Sequence, residues 1–155
     1  MTPPSLGEDQ RLALPGANVW LWWSQVPTLP GEKLGVIGQF AAETAEAAAA
    51  VLGRACAELR ARGCTRAVGP MDGNTWRRYR FVTDAGSEPP FFLEPTNPGE
   101  WPQWWENAGF SPLAQYLSSA STDLTTRDPR LEGVAARMAE LGVTIRPLDL
   151  SRFET

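Results

Sequence analysis

The chain has 155 residues, of which 43% are hydrophobic and 21% charged, a composition typical of one soluble globular domain. No run approaches the ~18 apolar residues of a transmembrane helix. The first ten residues lack the positive charge and apolar segment of a secretory signal, so we expect a cytoplasmic protein. The net charge of −4 disfavours nucleic acids and anionic membranes as partners.

Histidine is absent, and Cys56 and Cys64 are the two cysteines. Catalysis by a Ser–His or Cys–His pair within this chain is therefore excluded, and we expect no metal site. Carboxylate, tyrosine, hydroxyl and backbone-amide chemistry remain. Seven tryptophans are the unusual surplus, and clustered tryptophans either fill a core or line a pocket.

The first third of the chain predicts a tail followed by strands. Residues 1–10 are Pro, Gly and polar residues, which is typical of a disordered tail. A short strand is expected at 11–14 and an aromatic, β-branched strand at 18–26. A turn cluster separates the latter from a strand at 34–41, and we expect these two strands to pair as an antiparallel hairpin.

The clearest helix is predicted at 43–62, where apolar side chains recur at helical spacing. Gly63 is suited to the position just after the helix. A short strand is expected at 64–68. Strand, helix and strand at this spacing form a βαβ unit, so 34–41 and 64–68 should be parallel neighbours.

The remaining chain predicts a helix at 100–108 ended by Gly109, a strand at 113–121, a helix at 128–141 and a strand at 143–148. These elements divide the chain into the tail 1–10, a core domain 11–122 and a C-terminal helix and strand at 123–155. The expected fold class is mixed α/β (α+β).

Two sequence strings carry a resemblance to a known family. The string W-E-N-A-G-F at 105–110, after the βαβ order, resembles the end of the fourth helix in the GNAT acetyltransferase superfamily. The strings G-P-M-D-G-N at 69–74 and F-L-E-P-T-N-P at 92–98 are similar to a poorly characterised bacterial subgroup of GNAT-like proteins. The resemblance covers about residues 18–121.

The resemblance implies a mostly antiparallel sheet with a splayed pair of parallel strands, between which acetyl-CoA binds as co-substrate. It implies transfer of the acetyl group to an amine. The family begins with a strand and two helices that have no counterpart before residue 18, so the expected fold is truncated at the N-terminal side. Residues 143–154 resemble the opening strand of a second such unit.

The resemblance also places a cofactor site. Its members lie at the end of the first parallel strand, at the start of the following helix and at two positions beyond: Gln39, Phe40, Ala41, Glu43, Thr44, Ala45, Asn74 and Trp105. Two features depart from the family pattern. Residues 42–46 lack the glycines and arginine of the usual pyrophosphate loop. Trp105 stands where many members have a tyrosine that protonates the departing thiolate.

Candidate catalytic groups follow from the available chemistry. A general base for an amine must be a carboxylate here, and Glu94 and Asp72 are the candidates. Tyr116, in the predicted strand after the second helix, is the candidate general acid. The alternative is that Asp72 and Glu94 cap turns and that Tyr116 packs in the core.

The sequence leaves two functions open. One is an acyl-CoA-dependent N-acyltransferase acting on a small-molecule amine. The other is a catalytically inactive GNAT-like module that scaffolds a partner protein or binds a small ligand. Uncovered sheet surface and the apolar strand at 143–148 favour a symmetric homodimer.

Overall fold

The computed structural model describes residues 7–87, 89–90, 92–119, 123, 125, 128–144 and 146. The chain divides into two compact units, Met1–Leu113 and Ala114–Thr155. Its described part is mixed α+β, with four strands and two helices in the first unit and a third helix in the second.

The first unit is built on one four-stranded sheet in the order β1-β2-β3-β4. The strands are β1 (Gln10–Leu14), β2 (Ala17–Trp22), β3 (Leu34–Ala42) and β4 (Arg66–Val68). The first three are antiparallel neighbours, and β4 runs parallel to β3. Both predicted pairings, the antiparallel hairpin and the parallel βαβ pair, are confirmed.

Ordered structure begins before residue 11, so the predicted ten-residue tail is wrong at its end. Gln10 pairs with Leu21, and the Asp9 carboxylate accepts the backbone N–H groups of Trp23 at 2.6 Å and Ser24 at 2.9 Å. These two donors leave the sheet ladder to bind Asp9, which explains why β2 ends at Trp22 rather than at residue 26.

The helix after β3, α1 (Ala45–Ala61), has defined signals at both ends. Thr44 is its N-cap, because the Thr44 hydroxyl accepts the backbone N–H of Ala47 at 3.2 Å. Gly63 has φ of 80° and its N–H bonds to the carbonyl of Arg60 at 2.9 Å. The stop predicted at Gly63 is confirmed, because glycine adopts this left-handed conformation without a Cβ clash.

The main core lies between α1 and one face of the sheet. Alternate residues of β2 point towards α1, as the two-residue period of a strand requires. The buried residues that β2, β3 and α1 contribute to the core cluster are Ala17, Val19, Leu21, Ile37, Phe40, Ala48, Val51, Leu52, Ala55 and Leu59. Burial of this apolar surface is the main force that holds α1 on the sheet.

Part of the opposite face of the sheet, over β2 and β3, is covered by the loop after β4. Trp22 points to this face and is buried. A Cβ on Gly73 would lie only 3.3 Å from the indole nitrogen of Trp22. The segment that follows β4 therefore crosses this face in close contact with β2.

The helices α2 (Trp101–Asn107) and α3 (Arg130–Glu140) confirm the two predicted there. Gly109 and Gly142 follow them with φ of 95° and 75°. No helix in the described part of the chain is long and apolar enough to cross a membrane.

The two strands predicted nearest the C-terminus, at 113–121 and 143–148, are only partly described by the structure. The strand predicted at 113–121 is wrong for residues 113–119, which belong to no strand. A strand needs a ladder partner for its backbone, and among the described residues the only sheet is formed by β1–β4. Residues 120 and 121, and half of the strand predicted at 143–148, lie outside the described residues; 143, 144 and 146 are described and belong to no strand.

Candidate functional site

A β-bulge in β3 lies at the centre of the candidate site. Asn18 pairs with Ala41 and Trp20 with Gly38, so Val19 alone faces two residues of β3. One of these, Gln39, has φ of 46°, a left-handed conformation that is uncommon outside glycine. The extra residue re-aims the strand end and turns backbone groups of β3 away from the regular ladder.

The backbone N–H of Gln39, at the bulge, is bound by the side chain of Asp72, which lies in the loop after β4. It donates to Oδ1 of Asp72 at 2.8 Å, and the Gln39 side-chain amide donates to Oδ2 of the same carboxylate. The guanidinium of Arg78 lies 3.8 Å from Oδ2, and the Asp72 N–H donates to the carbonyl of Arg78 at 2.7 Å. Asp72 is 8% exposed. The carboxylate is thus a buried acceptor, held by several donors as burial of a charge requires.

The resemblance implies that the two parallel strands splay apart. In this structure the chain after β4 fills the space between them, up to Gln39. β4 pairs with β3 only as far as Val36, but the following segment 69–72 stays against β3. The N–H of Met71 donates to the carbonyl of Ile37 at 2.9 Å, and Asp72 then reaches Gln39. Asp72 and Gln39, both predicted site residues, therefore meet, and each occupies the polar groups of the other.

Two glycines allow this close approach. A Cβ on Gly38 would lie 2.2 Å from the carbonyl oxygen of Met71 and 2.5 Å from Oδ1 of Asp72. A Cβ on Gly69 would lie 2.4 Å from the carbonyl oxygen of Ile37. Real Cβ atoms do not approach other atoms this closely, so the closure depends on glycine at both positions.

Trp105 lies in an aromatic cluster next to the bulge. Its ring centroid is 5.4 Å from that of Phe40, 5.5 Å from Phe81 and 4.7 Å from Phe110, in edge-on or tilted contacts. Trp105 is 3% exposed, so its side chain is buried in this cluster and does not line an open pocket. The cause is Gly69, whose missing Cβ lets the Trp105 ring pack directly on the chain after β4.

The indole N–H of Trp105 is buried and has no hydrogen-bond partner in the described part of the chain. Indole is a hydrogen-bond donor only, so this group cannot deliver a proton as a phenol does. Phe40, predicted beside the cofactor, belongs to the same cluster and packs edge-on against Trp101 at 5.0 Å. Both residues thus serve as core in this structure.

Two backbone N–H groups at the start of α1 are bound within the protein. The N–H of Glu43 donates to the carbonyl of Gly16 at 2.9 Å, and Thr44 caps the helix through Ala47. Ala45 opens the helix, and Ala41 is the β3 partner of Asn18. A shallow surface depression of about 310 Å³ lies beside Glu43, lined by small residues of the β1–β2 turn and of the β3 end.

Glu94 pairs with Arg80, whose Nη2 lies 2.8 Å from Oε1 of Glu94. The hydrogen bond that the Arg80 guanidinium donates to the Glu94 carboxylate raises the pKa of Arg80. The side-chain oxygen of Asn74 accepts the N–H of Trp76 at 3.0 Å, so it caps a local turn. Tyr116 belongs to the second unit and is 61% exposed, which contradicts its expected place in a strand or a core.

Sequence reasoning missed Gly38 and Gly69 as members of this site. A glycine inside a strand often marks a bulge or a close approach of another backbone segment. Gly38, which lies in the predicted strand 34–41, could therefore have indicated this contact. The role of Arg78 follows only from the turn that returns its carbonyl to Asp72.

Comparison of the chain with protein-family models, with curated proteins and with solved structures gives no significant match. The geometry of the site therefore carries the functional argument.

Proposed function

We propose that the first unit is a GNAT-like module that acts by binding, as a scaffold for a partner protein or as a small-ligand binder, and that it does not take up acyl-CoA between β3 and β4. One observation carries the proposal: the bulge N–H of Gln39 is bound by the Asp72 carboxylate at 2.8 Å. A cofactor at this strand end would need that donor, and it would have to displace a buried, multiply bonded carboxylate.

The start of α1 supports the same proposal. A pyrophosphate needs free backbone N–H groups and a positive environment at a helix start. Here the N–H groups of Glu43 and Ala47 already have acceptors, and Glu43 and Glu46 add negative charge. Carboxylates at the start of a helix repel a phosphate placed there.

An acetyl-CoA-dependent N-acyltransferase is the second candidate. It is favoured by the left-handed bulge at Gln39 in a strand that is followed by a helix and paired in parallel with β4. In that case segment 69–72 must leave β3 before the cofactor binds, with Glu94 or Asp72 as the base and a small-molecule amine as acceptor. A homodimer remains part of either proposal.

Calorimetric titration of the folded chain with acetyl-CoA tests the proposal. We expect no saturable heat and no rise in melting temperature. Saturable one-site binding at micromolar concentration would overturn it. A turnover assay with a panel of amines is best followed by loss of thioester absorbance, because thiol reagents would also react with Cys56 and Cys64.

A further inference from the structure

The donors around Asp72 have the arrangement of a carboxylate receptor. The backbone N–H and the side-chain amide of Gln39 address different oxygens of one carboxylate, and the Arg78 guanidinium lies 3.8 Å from one of these oxygens. Converging N–H groups with a nearby guanidinium are the groups that recognise carboxylates in proteins.

The floor of this receptor is the backbone of β3. An added Cβ on Gly38 would lie 2.5 Å from Oδ1 of Asp72, so the carboxylate fills space that any other residue would occupy. The occupant, Asp72, is largely buried, with 11% of its side chain exposed. The left-handed conformation of Gln39 fixes the direction of its N–H towards this space.

We propose that Gly38, Gln39 and Arg78 form a carboxylate-binding cradle that is filled by the side chain of Asp72, so that segment 69–72 is an autoinhibitory latch on β3. A ligand with a carboxylate group is the class that this cradle recognises. Asp72 is tethered and competes at a high effective concentration, so only a ligand with further contacts releases the latch in the intact chain.

The test removes the tethered carboxylate and supplies a free one. Asp72→Ala leaves the Gln39 donors unpaired, and we expect its melting temperature to fall below that of the unaltered protein. Sodium acetate or formate should restore at least half of this loss with a saturable dose dependence, because a ligand that binds only the folded state stabilises it. Sodium chloride at the same ionic strength should not.

Two variants control for indirect effects. Asp72→Asn keeps the cradle filled, so acetate should give no saturable rise. Asp84→Ala removes an exposed carboxylate that accepts one backbone N–H, from Gly86 at 2.9 Å, and should also show no response. If Asp72→Ala does not fold in plain buffer, the folded fraction recovered by formate is measured instead, with Asp72→Ser as a milder variant.

Saturable rescue confined to Asp72→Ala and Asp72→Ser supports the cradle. Absence of rescue in both, or equal effects of acetate and chloride, overturns it. The inference shares the contact between Asp72 and Gln39 with the proposed function, but the two fail separately. Binding of acetyl-CoA by the unaltered protein overturns the proposed function alone, and failure of acetate rescue overturns the cradle alone.

Discussion

Replacing Gly38 with alanine tests the closure of β3 directly. The φ of Gly38 lies outside the left-handed region, so the backbone itself accepts an alanine. The obstacle is space: the new Cβ would lie 2.2 Å from the Met71 carbonyl oxygen and 2.6 Å from its carbon. Because the nearest atom is backbone, segment 69–72 must move as a unit.

The expected cost has two parts. Overpacking of a well-packed site costs about 1–3 kcal/mol. Movement of segment 69–72 also weakens the Met71–Ile37 backbone hydrogen bond, about 1 kcal/mol, and the charged bond between Asp72 and Gln39, about 1.5–3 kcal/mol. If overpacking is relieved by movement, the two parts overlap, and we expect Gly38→Ala to lower the free energy of unfolding by about 3 kcal/mol.

Gly53→Ala is the matched control. Gly53 lies inside α1, and a Cβ there would meet nothing within 4 Å. The same substitution should raise the free energy of unfolding by about 0.5–1 kcal/mol, because glycine is a poor helix former. Urea unfolding monitored by tryptophan fluorescence measures both variants, and amide exchange at Gln39 and Met71 should accelerate only in Gly38→Ala. A Gly38→Ala variant within about 0.5 kcal/mol of the unaltered protein would refute the reasoning.

Three further predictions concern the core and the surface. Burial acts to raise the pKa of Asp9, but the Ser24 hydroxyl and two backbone N–H groups outweigh it and lower that pKa, so this stabilisation is present at neutral pH and lost as the pH falls through the folded-state pKa. Asp9→Asn should flatten the acid limb of stability against pH. Burial raises the pKa of the Cys56 and Cys64 thiols, so a thiol reagent at pH 7 should label the folded chain more slowly than the urea-unfolded chain. Trp105→Phe should change the free energy of unfolding by only about 1 kcal/mol in urea titrations, because loss of ring contacts is offset by removal of a buried, unpartnered N–H.

Local patterns were sufficient to predict the elements that depend on local chemistry. The period of the apolar residues marked α1, and Gly63 and Gly109 marked where α1 and α2 end. The spacing of strand, helix and strand was sufficient for the parallel pairing of β3 and β4, because short crossovers allow few topologies.

The strand predicted at 113–121 shows the limit of this reasoning. Its residues have adequate strand propensity, but propensity in sheets mostly reflects packing against neighbours. Residues 113–119 lie in no strand, since strand identity requires a partner ladder that the sequence pattern cannot supply.

The closed site could not be predicted, because it depends on a contact between residues 33 positions apart. The sequence identified Asp72 as a candidate general base and Gln39 as a cofactor-binding residue, but it did not identify them as partners of each other. The bulge that points the Gln39 N–H towards Asp72 is set by the register of β2 against β3, and register is a property of the pair of strands.

Most residues of the string G-P-M-D-G at 69–73, on which the resemblance partly rests, have a structural role. Gly69 lets Trp105 pack against the chain, and Gly73 lets the chain pass Trp22. Between them, Met71 supplies a backbone bond to β3 and Asp72 supplies the carboxylate.

Met71 and Asp72 thus hold segment 69–72 on β3, and none of these contacts requires a bound cofactor to explain it. A glycine at the facing position of β3, Gly38, is the necessary complement. The glycines permit the closure, and the hydrogen bonds of Met71 and Asp72 to β3 stabilise it. The string on which the resemblance partly rests is thus also the segment that packs against β3.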